Sequence, residues 1–224
     1  MVPINFENPI QKVHNSKFLA LLILLLLMLV LTPFLDDFIQ TRILLDGFLT
    51  AIFIFIISTI RLKRLQTVFA FILVLPLLIA TWSTYFVEVR SLGLLTRIFG
   101  ALFFGYTAFN ILNIVAKSKE VTREIIFAAV VAYLLIALMW AFLYMILELV
   151  SPGSFSFPDE GRWGETMRFE YLSFITITTL GYGDITPLTD KASALVLIEA
   201  VVGQIYMVVL VAWLVGMHVS RKSK

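Results

Sequence analysis

The sequence predicts an all-α membrane protein: six transmembrane helices, with a shorter helix and a loop re-entering the membrane between the fifth and the sixth. Three observations lead there. Of 224 residues, 60% are hydrophobic and only 14% charged, against roughly 25% charged in soluble domains. The apolar residues gather into six segments near 18–35, 43–60, 65–87, 91–116, 124–149 and 190–219, each close to the ~20 residues that cross a hydrocarbon core. Between the last two, a stretch without helix breakers from about Thr166 to Thr178 runs into Gly181-Tyr182-Gly183-Asp184.

Lys12 and Lys17 precede the first segment as they would a secretory signal. Its apolar run is too long for that, however, and no small-residue cleavage site follows, so it is read as a retained span. Lysine and arginine favour cytoplasmic loops. Lys12 and Lys17, Arg61 to Arg64, Lys117 to Arg123, and Arg221 to Lys224 all fall on one side, whereas Asp36, Asp37, Glu88, Asp159 and Glu160 fall on the other. Both termini are therefore expected in the cytoplasm. The charged linker 117–123 separates the first four spans from the rest, and residues 151–165 carry the Gly, Pro and Ser of an outer loop. A helix of about 12 residues descends ~18 Å, and about five extended residues climb back ~16 Å. The stretch 166–184 can thus dip to mid-membrane and return. Gly-Tyr-Gly-Asp alone would be an ordinary exposed turn; its place after a hydroxyl-rich helix between two spans argues for re-entry.

The absence of cysteine excludes disulfides, thiolate metal sites and cysteine nucleophiles. The net charge of +2 follows membrane topology and suggests no nucleic-acid partner. No soluble catalytic domain fits beside six spans in this length, and no cofactor is expected.

The string Ser173-Phe174-Ile175-Thr176-Ile177-Thr178-Thr179-Leu180-Gly181-Tyr182-Gly183-Asp184-Ile185-Thr186-Pro187 resembles the selectivity-filter signature of potassium channels. A dehydrated cation needs a ring of oxygens in place of its water shell, and backbone carbonyls can supply it. Aiming successive carbonyls at one axis requires φ > 0 at alternate residues, a role given to Gly181 and Gly183. The resemblance implies that the carbonyls of Thr179, Leu180, Gly181 and Tyr182, with the Thr179 hydroxyl, bind potassium. Gly183 and Asp184 would close the outer mouth, and Thr178 and Tyr171 would support the loop, Tyr171 by bonding Asp184. Leu180 stands where valine is commoner, and Ile175 where some relatives carry a glutamate partner for the aspartate. The family is fourfold and the chain has one such loop, so a homotetramer embedded in membrane lipids is implied. The implied organisation is a cytoplasmic segment 1–17, a sensor-like bundle 18–116 and a pore domain 117–224, placed in the cell's inner (plasma) membrane. A separate cytosolic regulatory subunit is a further expected partner.

In the last span, Gly203 lies where related channels often carry a hinge; close helix packing explains a mid-helix glycine equally well. If the family register holds, Gln204, Met207, Val211, Val215 and Val219 face the cavity, and the lower valines are apolar enough to gate by dewetting. Glu199 is the one acid deep in this span. It is read either as bonded to pore-helix threonines and tuning conduction, or as a neutral structural acid. Span four carries only Arg97, with Arg90 at its edge, in place of a sensor's ladder, so little voltage sensitivity is expected; Asp46 is the expected partner of Arg97. Asn110 and Asn113 are expected to bond between helices. His14 and His218 have no partners in the pattern.

Two other functions compete with a potassium channel: a non-selective cation channel of the same fold, and an intramembrane aspartyl protease. The protease signature Gly-x-Gly-Asp fits Gly181–Asp184, but the second aspartate it needs has only Asp46 as a candidate, without the flanking tyrosine.

Overall fold

The computed structural model describes residues 17–35, 47, 50–57, 64–83, 93–157 and 164–222. Within them run α1 (Lys17–Leu35), the short α2 (50–57), α3 (Arg64–Ser83), α4 (Gly93–Lys117), α5 (Arg123–Val150), β1 (Phe155–Ser156), α6 (Glu165–Ile177), β2 (Thr186–Pro187) and α7 (Asp190–Lys222). Four of these helices are long and apolar enough to cross a membrane, over Gln66–Ser83, Gly93–Lys117, Arg123–Val150 and Asp190–Trp213. The apolar helix over Lys17–Leu31 is shorter. The second expected span, 43–60, lies largely outside the described residues, as do His14, Asp46 and Arg90. This is a helical membrane protein, with a two-stranded ladder as its only described sheet.

Each helix closes its backbone bonds internally, as hydrocarbon demands. The start of α5 is held by side chains. Thr122 caps α5 by accepting from the Ile125 N–H at 3.3 Å, satisfying a donor that the first turn leaves open. Glu124, in that same turn, also accepts from the Phe18 N–H at 3.2 Å and so joins α1 to α5. α3 contains Pro76, tolerated where neighbouring groups satisfy the freed carbonyl.

Between apolar helices in lipid, association rests on close packing more than on burial from water. α4 and α5, joined by residues 118–122, lie against one another along their lengths. Their seam uses small residues opposite large ones. Gly100 faces the Phe142 ring so closely that a Cβ there would stand 2.3 Å from Cε1. Phe53, Phe103 and Phe104 continue the seam toward α2 with edge-on rings, Phe53 and Phe103 at 5.2 Å. The Trp82 indole N–H donates to the Thr50 hydroxyl at 3.3 Å, and the Tyr106 hydroxyl to the Gln66 carbonyl at 3.2 Å, which ties α3 to α2 and to α4. Asn110, expected to bond across helices, donates instead to the Tyr106 carbonyl of its own helix at 2.7 Å; the carbonyl one turn back is the nearest acceptor.

The α4–α5 packing carries a quantitative expectation. Gly100→Ala forces the Phe142 ring aside and lowers stability by about 1–3 kcal/mol, read as a lower thermal unfolding midpoint of the purified protein. Adding Phe142→Leu should restore most of the loss. A Gly100→Ala protein as stable as wild type would show that the two helices do not meet there.

Candidate functional site

α6 begins one residue earlier than its sequence suggested and ends at Ile177. Beyond it the chain keeps a helical turn briefly: the Thr178 N–H donates to the Phe174 carbonyl at 3.2 Å, and the Thr178 hydroxyl to the same oxygen at 2.6 Å. The Thr179 N–H then reaches Thr176 at 2.9 Å, and the Gly181 N–H reaches Ile175 at 2.9 Å. Three main-chain donors of the loop are thus spent on the end of α6, and none of these bonds commits a loop carbonyl.

The conformation of that loop is unusual. Thr179, Gly181 and Gly183 have φ of 61°, 51° and 77°, while Leu180 and Tyr182 between them do not. Alternating hand at successive residues turns their carbonyls to one side of the chain, where a uniform strand would send them to opposite sides. The sequence pointed to glycine alone for the left-handed positions. The structure adds Thr179, at a steric cost of about 1–2 kcal/mol for an L-residue. Residues 178–184 are exposed in the single chain, Leu180 at 55% and Tyr182 at 68%.

The loop is fastened on both flanks. On the outer side the Tyr171 hydroxyl donates to the Asp184 carboxylate at 2.7 Å, and the other oxygen of Asp184 accepts from the Ile185 N–H at 3.1 Å. Next, β2 pairs antiparallel with β1, Thr186 opposite Ser156, and Leu188 N–H bonds the Ser154 carbonyl at 2.8 Å. The turn bearing β1 is itself held by Glu148, whose carboxylate accepts from the N–H groups of Gly153, Ser154 and Phe155 at 2.7, 3.0 and 3.2 Å. At the inner flank, the Tyr133 hydroxyl of α5 donates to the Ile177 carbonyl at 2.7 Å. Tyr206 of α7 stacks on Tyr133 at 5.2 Å and donates to the Ala129 carbonyl at 2.6 Å.

Gly203 lies directly against this inner flank. A Cβ on it would stand 2.5 Å from the Ile177 carbonyl oxygen and 2.8 Å from Ile177 Cγ1. Of the two readings the sequence left open, close packing has a direct structural cause: α7 touches the backbone at the end of α6, and only a hydrogen fits between.

Glu199, fully buried, sits behind α6. Its partners differ from the threonines expected. The Tyr144 hydroxyl of α5 bonds one carboxyl oxygen, and Ser173 Oγ lies 2.5 Å from the other. Among the described residues Trp140 Nε1 is the buried side-chain polar atom left without a partner, so the polar groups beneath the loop are satisfied.

Arg97 reaches toward the same assembly from α4. Its guanidinium makes a two-pronged ion pair with Glu165, in the first turn of α6, at 2.7 and 2.8 Å, and donates to the Met145 carbonyl at 3.1 Å. The pair is half in water, Glu165 being 55% exposed, and such pairs contribute about 0–1 kcal/mol. The expected partner, Asp46, lies outside the described residues; the one Arg97 has is an acid 68 positions along the chain.

On α7, Gln204, Met207, Val211 and Val215 lie on the face that neither α5 nor α6 covers, with Met207, Val211 and Val215 each about half exposed. The Val219 and His218 side chains lie outside the described residues. The sequence singled out Tyr171, Asp184, Glu199 and Gly203. It missed Tyr133, Tyr144 and Glu165, whose only signal was a polar group on an otherwise apolar or helix-starting stretch.

Residues 124–219 match a family model described as an ion channel. No curated protein and no solved structure matches the chain. The matched segment runs from the first turn of α5 to near the end of α7 and contains α6 and the loop. The likeness is therefore to an ion channel.

The Gly203 contact separates its two readings by the sign of one change. In a free hinge, Gly203→Ala should raise stability by about 1 kcal/mol through helix propensity. Against the Ile177 carbonyl it should lower stability by about 1–3 kcal/mol. Thermal unfolding in detergent decides, with a decrease expected; an increase would mean that α7 does not touch the end of α6.

Proposed function

We propose that the chain is one subunit of a homotetrameric potassium channel, conducting potassium passively through a pore lined by four copies of the loop Thr179–Gly183. The observation that supports this most is the alternating hand of Thr179, Leu180, Gly181, Tyr182 and Gly183. Uncommitted carbonyls turned one way are what a dehydrated cation requires, and a soluble turn has no use for them. Four such chains make a ring; one cannot. The exposed face of α7, bearing Gln204, Met207, Val211 and Val215, is apolar enough to line the passage below.

On this reading the domains are a cytoplasmic segment 1–17, a bundle 18–116 and a pore domain 117–224, with six spans, both termini in the cytoplasm and a cell-membrane location. The permeant ion is the ligand, bound at Thr179, Leu180, Gly181 and Tyr182, and no cofactor takes part. Tyr171, Thr178 and Asp184 support the loop. The bundle is a scaffold more than a sensor: Arg97, its one basic residue in the described part of α4 before Lys117, is tied to Glu165. Closure falls to Val211, Val215 and Val219 by dewetting, or to the loop itself, because a movement of α7 at Gly203 bears on Ile177. A separate cytosolic subunit is the form of regulation this arrangement leaves open.

A second reading, a cation channel without selectivity, shares every feature except the fixed spacing of carbonyls. Reversal potentials of the purified protein in planar bilayers discriminate, with potassium on one side and sodium on the other. Wild type should reverse near the potassium equilibrium potential. Gly183→Asp should lose that preference or fail to assemble, since its φ of 77° is strained for any side chain although a Cβ would meet no atom within 4 Å. A reversal potential near zero for wild type would select the non-selective reading, and unaltered selectivity in Gly183→Asp would overturn the filter assignment.

A further inference from the structure

Glu199, Ser173 and Tyr144 come from three different helices and meet in a place sealed from solvent. Ser173 Oγ lies 2.5 Å from Glu199 Oε1 and 2.6 Å from the carbonyl oxygen of Ala137 on α5. The Tyr144 hydroxyl bonds Glu199 Oε2. Each of these three oxygen pairs needs one proton between its members. Two hydroxyls supply two protons, and a backbone carbonyl supplies none.

With Glu199 ionised, one pair would be left as two oxygens facing each other without a proton, in a buried site. A proton on Oε2 does not help, because Ser173 still has one hydrogen for two acceptors. A proton on Oε1 fills all three places: Glu199 donates to Ser173, Ser173 donates to Ala137, and Tyr144 donates to Glu199. Among the described residues no lysine, arginine or histidine forms an ion pair with Glu199 that would favour the charged form instead. An unpaired buried charge is costly, while a neutral acid with both oxygens bonded is not.

We propose that Glu199 is a protonated acid acting as a hydrogen-bond donor, a positioning residue that clamps α6 between α5 and α7 and so fixes the loop that follows. The relay runs one way, from α7 through Ser173 to the backbone of α5. It holds α6 one turn before its end at Ile177, where Tyr133 and Gly203 make the next attachment. The proton count stands on geometry alone. The effect on selectivity rests on the channel reading given above.

Glutamine reproduces the proposed state: its amide N–H donates to Ser173 and its carbonyl accepts from Tyr144. Leucine reproduces only the size. Infrared difference spectra of the purified full chain in lipid, wild type against Glu199→Gln at neutral pH, should show the carbonyl stretch of a protonated carboxylic acid in wild type alone. That band should shift in Ser173→Ala, which removes its acceptor. Absence of the band would overturn the proposal, whether or not the protein conducts. In bilayers, Glu199→Gln should keep the wild-type potassium-over-sodium permeability ratio, and Glu199→Leu should lower it by about tenfold, the scale of one lost buried hydrogen bond. Equal loss in both variants, or none in Glu199→Leu, would overturn the positioning role. If wild type itself passes no cations, the channel reading fails, and the infrared band still decides the protonation state.

Discussion

A backbone that leaves its helix inside a membrane must find partners for every carbonyl and N–H it exposes. On the proposed reading, in which the loop re-enters the membrane, this one demand orders the structure around residues 178–185. The N–H groups of Thr178, Thr179 and Gly181 fold back onto the last turn of α6, and none of these bonds uses a loop carbonyl. Unbonded carbonyls in hydrocarbon would cost several kcal/mol each, so on the proposed reading a cation, water or other copies of the loop must face them. The exposure of residues 178–184 in the single chain is consistent with the assembly proposed above.

If the loop binds cations as proposed, its carbonyl spacing sets which ion fits, and fixing it requires rigid support. The structure supplies it through main-chain anchors. Tyr133 holds the Ile177 carbonyl, Ser173 reaches the Ala137 carbonyl, and Glu148 gathers three N–H groups of the outer turn. Side chain to backbone bonds of this kind fix the path of the chain itself. Gly203 adds the complementary device, removing a side chain so that α7 can lie against the same backbone. The Arg97–Glu165 pair brings α4 into this frame at the start of α6, which gives the bundle a mechanical contact with the site despite its lack of a charge ladder.

Much of this was legible in the sequence, for identifiable reasons. Length and hydropathy marked α1, α3, α4, α5 and α7 to within a few residues, since a helix crossing hydrocarbon has little freedom in either. The loop was legible because Gly181 and Gly183 are separated by one residue, a spacing with a conformational meaning, and Tyr171 with Asp184 because a resemblance supplied the pairing. Thr179 at φ 61° was not: a β-branched residue in that region contradicts its own preference and is held there by its surroundings. The partners of Glu199 and Arg97 were invisible for another reason. Tyr144 is 55 positions from Glu199, and Glu165 is 68 from Arg97, so only the packing of α4, α5 and α7 around α6 brings them together. Tyrosines on an apolar helix carry no mark that tells an anchor from an interfacial ring.

The central claim is that the loop presents carbonyls spaced for potassium. Equilibrium ion binding tests it without requiring an open gate. Calorimetric titration of the purified protein, held in a buffer of large organic cations, should give a saturable heat with potassium and much weaker binding with sodium, the difference vanishing in a protein whose Gly181 is replaced by valine. Sodium binding as tight as potassium binding in wild type would contradict the account.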